Sequence, residues 1–334
     1  MNFGVMIRRL SGLSLLAVVY CFAVSPVHAQ KIFFRSWGVT EFQPDVKHGG
    51  RANGIAVNPA DNNVIYVASE SGGLFKSTNR GFHWQHLDSL PLYRLGTVAL
   101  VPGSPQTVLV TSIDSGFPAT NAGGVWRSTD GGGSWARAVD PAGVSGRYSA
   151  YEISAAPDTG TLYVATDLGC FVSTNGGATW TYQNVFGSGD LRTFAVVALG
   201  ANRVIAAGPA GIRHSPDGGA TWTTSNTNLG SVWDMHALGR STFSNRHAYV
   251  VNGATNLFYT RNDGADWTAV SSAPTGGGGC GGITFAKAVV RPPAGIIKQQ
   301  NVYFGNRCGE HGDFGLRRGS DGGEIIIRQV LIRK

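Results

Sequence analysis

The chain has 334 residues and a formal net charge of +7, with 42% hydrophobic and only 14% charged residues. The apolar share is enough to bury a core in one large domain or two modest ones. The 48 glycines follow no period of three, which excludes a collagen-like chain, and a mild basic excess is not by itself a nucleic-acid footprint.

In chain order, residues 1–29 come first. Arg8 and Arg9 precede an apolar run from Leu10 to Val24, and Val27-His28-Ala29 offers a small-residue cleavage site. This is the pattern of a secretory signal. The run is shorter than the ~20 residues a membrane span needs. Cys21 lies inside it without a lipobox before it. The expectation is an exported, soluble chain, periplasmic or extracellular, without a membrane span. Residues 30–334 then form one domain. It opens on "KIFFRSWGV" at 31–39, a strand-like stretch outside any repeat, expected to pair with the last unit.

The remainder repeats. "GGLFKSTNRGFHW" (72–84), "GGVWRSTDGGGSW" (123–135), "LGCFVSTNGGATW" (168–180), "AGIRHSPDGGATW" (210–222) and "NLFYTRNDGADW" (256–267) share one grammar. A worn sixth copy, "FGLRRGSDGGEII", has Ile326 in the tryptophan place. Trp84, Trp135, Trp180, Trp222 and Trp267 are 51, 45, 42 and 45 residues apart. Each unit also holds short alternating stretches such as "ANGIAVNP", "VIYVAS", "GLFKST" and "HWQHL". Four antiparallel strands per unit, repeated with a period in the forties, predict an all-β propeller. Six blades are expected, with seven as the alternative.

Asn79, Asp130, Asn175, Asp217 and Asn262 hold equivalent turn positions. There an Asx side chain can accept backbone N–H groups ahead of it. A glycine two residues later can take a positive φ. The tryptophan is large enough to pack between blades. These five Asx residues are therefore expected to be structural.

The S-x-D-x-G-x-T-W pattern resembles the Asp-box (BNR) repeat of the sialidase superfamily. Its relatives include six-bladed sialidases, two-propeller xyloglucanase-type hydrolases, sortilin-type receptors and photosystem II assembly factors. The resemblance implies the fold over nearly all of the mature chain. It leaves hydrolase, receptor and assembly factor open, since one repeat serves all three.

The loops before the inner strands and after the second strands share the usual ligand face of a propeller. Arg51, Arg94, Arg147 and Arg192 stand near the mouth on four successive blades, and Trp233 follows on the next. Arg51 and Arg94 each lie eight residues before the proline that ends their strand, Pro59 and Pro102. Convergent guanidinium groups bind carboxylates or phosphates in bidentate fashion. This predicts a binding face for an anionic glycan or a protein partner. Among the second-strand loops, Glu70, Asp114, Asp167, Glu310 and Asp313 are candidate catalytic carboxylates. Hydrolysis of a glycoside needs two such groups across the scissile bond.

Cys280 precedes an inner strand and Cys308 follows the neighbouring second strand, so these two are expected to form a disulfide. Cys170 reads as a buried thiol in an apolar strand. A metal site at Cys308 and His311 is the sharper alternative, but such ligands come in fours, and no metal or other cofactor is expected.

The sialidase motif F/Y-R-I-P has its nearest match at Phe34-Arg35-Ser36-Trp37, without the Ile-Pro. Tyr148, Tyr151 and Glu152 lie close in sequence, yet strand alternation sends Tyr151 and Glu152 to opposite faces. The preferred expectation is thus an exported monomeric recognition propeller. The alternative is a sialidase-like or xyloglucanase-like glycoside hydrolase with a carboxylate pair on the same face.

Overall fold

The structure is a computed structural model. It describes residues 52–114, 123–138, 148–200, 202–225, 229, 231–232, 238–240, 246–252, 256–269, 283–286 and 303–306. These form five four-stranded antiparallel sheets and one two-stranded sheet. In each four-stranded sheet the strands lie side by side in chain order. The first blade holds Ala52–Val57, Ile65–Ser69, Leu74–Ser77 and Gln85–His86. The second holds Leu95–Val101, Ser104–Ser112, Gly124–Ser128 and Ala136–Arg137. The third holds Ala150–Ala155, Leu162–Thr166, Gly169–Ser173 and Thr181–Gln183. The fourth holds Ala195–Gly200, Arg203–Gly208, Gly211–Ser215 and Thr223–Thr224. The fifth holds Leu238–Arg240, Ala248–Asn252, Asn256–Thr260 and Thr268–Ala269. Ile283–Ala286 pairs with Tyr303–Asn306. The architecture is a β-propeller.

Short, two-faced strands explain why the units stack. Ala195–Gly200 is buried along its whole length. Its alternation sends Val196 and Ala198 into a core shared with the third blade, with Tyr163, Phe186 and Cys170. Ala195, Val197 and Leu199 enter a core shared with the fifth, with Val232, Val250 and Trp267. Leu109 and Val125 meet Phe171 and Trp180 between the second and third blades. Tyr66 and Leu74 meet Leu95 and Val108 between the first and second. A lone four-stranded sheet exposes both faces, so each blade is stabilised by its neighbours. Ala52–Val57 is less covered: Ile55 and Val57 are exposed.

Close approach of the inner strands depends on glycine. A Cβ on Gly96 would lie 2.3 Å from the Tyr151 carbonyl oxygen of the next blade and 2.7 Å from Thr111 Oγ1. That hydroxyl donates to the same Tyr151 oxygen at 3.0 Å and accepts from Thr97 N–H at 2.7 Å. The second and third blades are thereby locked together behind the mouth.

Candidate functional site

The two ends of the propeller are built differently. At one end lie the repeated turns between third and fourth strands. In each, a Ser or Thr hydroxyl donates to the Asx oxygen two residues on. The donors and acceptors are Ser77 and Asn79, Ser128 and Asp130, Ser173 and Asn175, Ser215 and Asp217, and Thr260 and Asn262, at 2.7–3.0 Å. The same hydroxyl accepts the N–H of Gly81, Gly132, Gly177, Gly219 or Gly264. All five of these glycines have φ between 80° and 100°. The Asx oxygen then accepts the N–H four residues on, as from Ser134 to Asp130 at 2.9 Å. The hydroxyl of Ser134, its N–H and the hydroxyl of Ser128 hold the Asp130 carboxyl well below the usual carboxylate range. The Thr221 hydroxyl and N–H, with the Ser215 hydroxyl, lower Asp217 to about 2. Five copies of one hydrogen-bond set serve the frame.

The turns of the second to fifth blades also dock on the preceding blade. Tyr66 O–H and Lys76 Nζ both donate to the Gly131 carbonyl, at 3.0 and 2.7 Å. Tyr163 O–H donates to Gly218 O, and Ser225 O–H to Gly264 O. Arg203 of the fourth blade pairs with Asp263 of the fifth, which Arg246 of its own blade also holds.

At the other end, loops of unlike sequence are strung together across blades. Gly73 N–H of the first blade donates to Tyr93 O of the second. Arg94 O accepts Ile113 N–H at 3.1 Å and the Ser112 hydroxyl at 3.0 Å. Asp114 N–H donates to Ser149 Oγ at 3.1 Å, which crosses to the third blade. Ser149 N–H donates to Asp167 Oδ2 at 3.0 Å, and Ser149 O accepts Asp167 N–H at 3.0 Å. Thr193 N–H of the fourth blade donates to Thr166 O. Ser149, itself buried, thus holds Asp114 and Asp167 on either side of it.

The electrostatics differ just as clearly. Burial raises the Asp167 carboxyl above its ordinary range, and the charge of nearby Asp114 raises it further; the Ser149 N–H and Arg192 offset part of this. Asp167 Oδ1 is buried with no hydrogen-bond partner among the described residues. The Tyr151 hydroxyl is raised by burial and then by the Asp167 charge. Its ring meets Phe194 edge-on at 5.0 Å. Phe194 also underlies Arg192, whose guanidinium sits 5.8 Å from the ring centre.

Of the arginines expected at the mouth, Arg94 is exposed. Arg192 is held by Asp190, with Nε 2.9 Å from Oδ1 and 3.1 Å from Oδ2. That pairing takes up donors that a bidentate ligand would use. Arg51, Arg147 and Trp233 lie outside the described residues, as do Glu310, Asp313, Cys280, Cys308 and His311. Glu70 is half-buried in the first blade, in the hairpin closed by Ser69 N–H donating to Gly73 O. Cys170 is a buried free thiol, its pKa raised to about 12 by burial. Among the described residues no three His, Cys, Asp or Glu side chains gather as a metal group, and no helix is long and apolar enough to cross a membrane. The sequence set Tyr151 aside as a partner of Glu152 and offered nothing to single out Ser149. Ser149 carries no periodic mark, and only its position between two second-strand loops gives it a role.

No protein-family model matches the chain. The xyloglucanase Xgh74A of Acetivibrio thermocellus is 26% identical over 219 residues, covering 58% of this chain and 24% of the relative. The chain thus spans about a quarter of the length of the curated relatives it matches. Among solved structures, an ancestral GH74 enzyme superposes with a TM-score of 0.60 at 23% identity, over 83% of this chain and 38% of that one. YCF48 bound to D1 peptide superposes with a TM-score of 0.51 at 16% identity, over 77% and 76%. These likenesses establish the propeller fold.

Proposed function

We propose that the chain is a glycoside-hydrolase-like propeller acting on a polysaccharide of the xyloglucan class, with Asp114 and Asp167 as its carboxylate pair. The observation that carries this is the anchoring of both residues on Ser149, Asp114 through its backbone N–H and Asp167 through its carboxylate, with the Asp114 charge felt at Asp167. The sequence likeness to a xyloglucanase supports it and reverses the order of preference drawn from sequence alone. Asp167 is the proton donor: its carboxyl is raised, and the buried Oδ1 can carry the proton. Asp114 is the partner carboxyl across the scissile bond. The five turns are read as Asp-box repeats within a six-bladed ring, and residues 1–29 as an export signal.

Incubation with xyloglucan, followed by mass spectrometry of released oligosaccharides, tests the activity. Product that persists undiminished in both Asp114→Asn and Asp167→Asn overturns this assignment of the pair. Non-catalytic recognition of an anionic glycan or a protein is the second reading, favoured by the exposed Arg94. It requires binding without product, weakened in Arg94→Ala.

A further inference from the structure

We propose that Tyr93 is an aromatic platform on which one pyranose ring of a neutral β-glucan chain stacks, immediately beside the Asp114 position. This deepens the hydrolase reading above and rests on it for the chemistry next door. Tyr93 is 59% exposed, although Leu92 before it and Leu95 after Arg94 are fully buried. The exposure is not that of a loose loop. The Tyr93 carbonyl accepts Gly73 N–H at 3.0 Å, and the next carbonyl, Arg94 O, is doubly bonded to Ile113 N–H and Ser112 O–H. The backbone is thus pinned to the first blade on one side and to the second-strand loop of its own blade on the other. Asp114 directly follows Ile113, so Tyr93 and Asp114 belong to adjoining segments whose backbones are hydrogen-bonded.

A rigidly presented aromatic ring left in water matches what a sugar binder needs. A pyranose has an apolar C–H face that covers a π surface, while its hydroxyls remain at the rim. A pinned backbone removes most of the ordering cost of binding. Arg94 beside it has five N–H donors suited to ring hydroxyls. Phe82, which is 79% exposed, provides the contrast: it sits in a repeated turn at the far end, away from the acids.

The test is isothermal titration of the full chain with xyloglucan oligosaccharides, in the Asp167→Asn background so that any turnover is suppressed, with polygalacturonate as the anionic control. Tyr93→Ala is expected to weaken xyloglucan binding about tenfold, and Tyr93→Phe to keep it within about twofold, as loss and retention of one stacked ring require. Equal affinity in Tyr93→Ala overturns the platform and leaves the hydrolase reading standing. Xyloglucan binding that needs Tyr93, in a wild-type chain that releases no product, supports the platform and overturns the hydrolase reading instead. Binding of polygalacturonate but not of xyloglucan overturns both.

Discussion

The two ends of this propeller use the same residue types for opposite ends. In the repeated turns, Asp130 and Asp217 are solvent-facing, surrounded by hydroxyl and N–H donors, and held below the ordinary carboxylate range. At the mouth, Asp167 is partly desolvated, faces another acid, and is held above that range. The first environment stabilises charge and so stabilises a turn. The second disfavours charge, which costs stability and favours the protonated form of the carboxyl. An aspartate's identity therefore says little until its donors and its neighbours are known.

Four substitutions test that contrast. The largest loss of stability is expected from Trp267→Ala. Trp267 is buried, packs in the core between the fourth and fifth blades and donates to Gly264 O at 3.1 Å. Removing it should lower unfolding free energy by about 3–5 kcal/mol in urea titration. A loss under about 1 kcal/mol would mean the turns are not the frame.

Asp167→Asn should act on the opposite quantity. Release of glucan oligosaccharides should fall about 100-fold or more, as loss of a general acid–base group does. Stability should not fall. A carboxyl raised on folding contributes stability that is complete below its unfolded pKa, about 3.9, and lost as pH rises through the folded value. Asparagine removes that loss, so the urea midpoint at neutral pH should hold or rise. A lower midpoint would place Asp167 with the structural acids.

Gly96→Ala lies between the two regions. Its methyl group would press on the Tyr151 carbonyl. About 1–3 kcal/mol of stability should go, as overpacking costs. Activity per folded molecule should fall too, because the Tyr151 strand adjoins Ser149, which holds Asp167.

The smallest effect is expected from Asp217→Asn, since the carboxylate is exposed and screened by water. Its folded value of about 2 lies below the unfolded one. The stabilisation is therefore present above about pH 4 and lost as pH falls toward 2. Wild type and variant should differ slightly in thermal midpoint near pH 5 and converge in acid. A difference that grows on acidification would reverse the sign and the assignment.

The repeated turns were legible because their bonds are local. Ser128, Asp130, Gly132 and Ser134 touch at spacings of two and four residues, so one window of sequence contains the whole device. The tryptophan period marks the blades, and strand alternation fixes which residues face which neighbour. The mouth was legible only as candidates. Asp114 and Asp167 stood among five acids, and no spacing joined them.

By itself, then, the sequence determined an all-β propeller of repeated four-stranded units, with their turns and their apolar faces. These follow from side-chain period and from hydrogen bonds between near neighbours in the chain. Only the tertiary structure decided that Asp114 and Asp167 are both held at Ser149, and that Tyr93 stands exposed on a pinned backbone. These depend on how far one blade approaches the next, which is set by packing between distant segments.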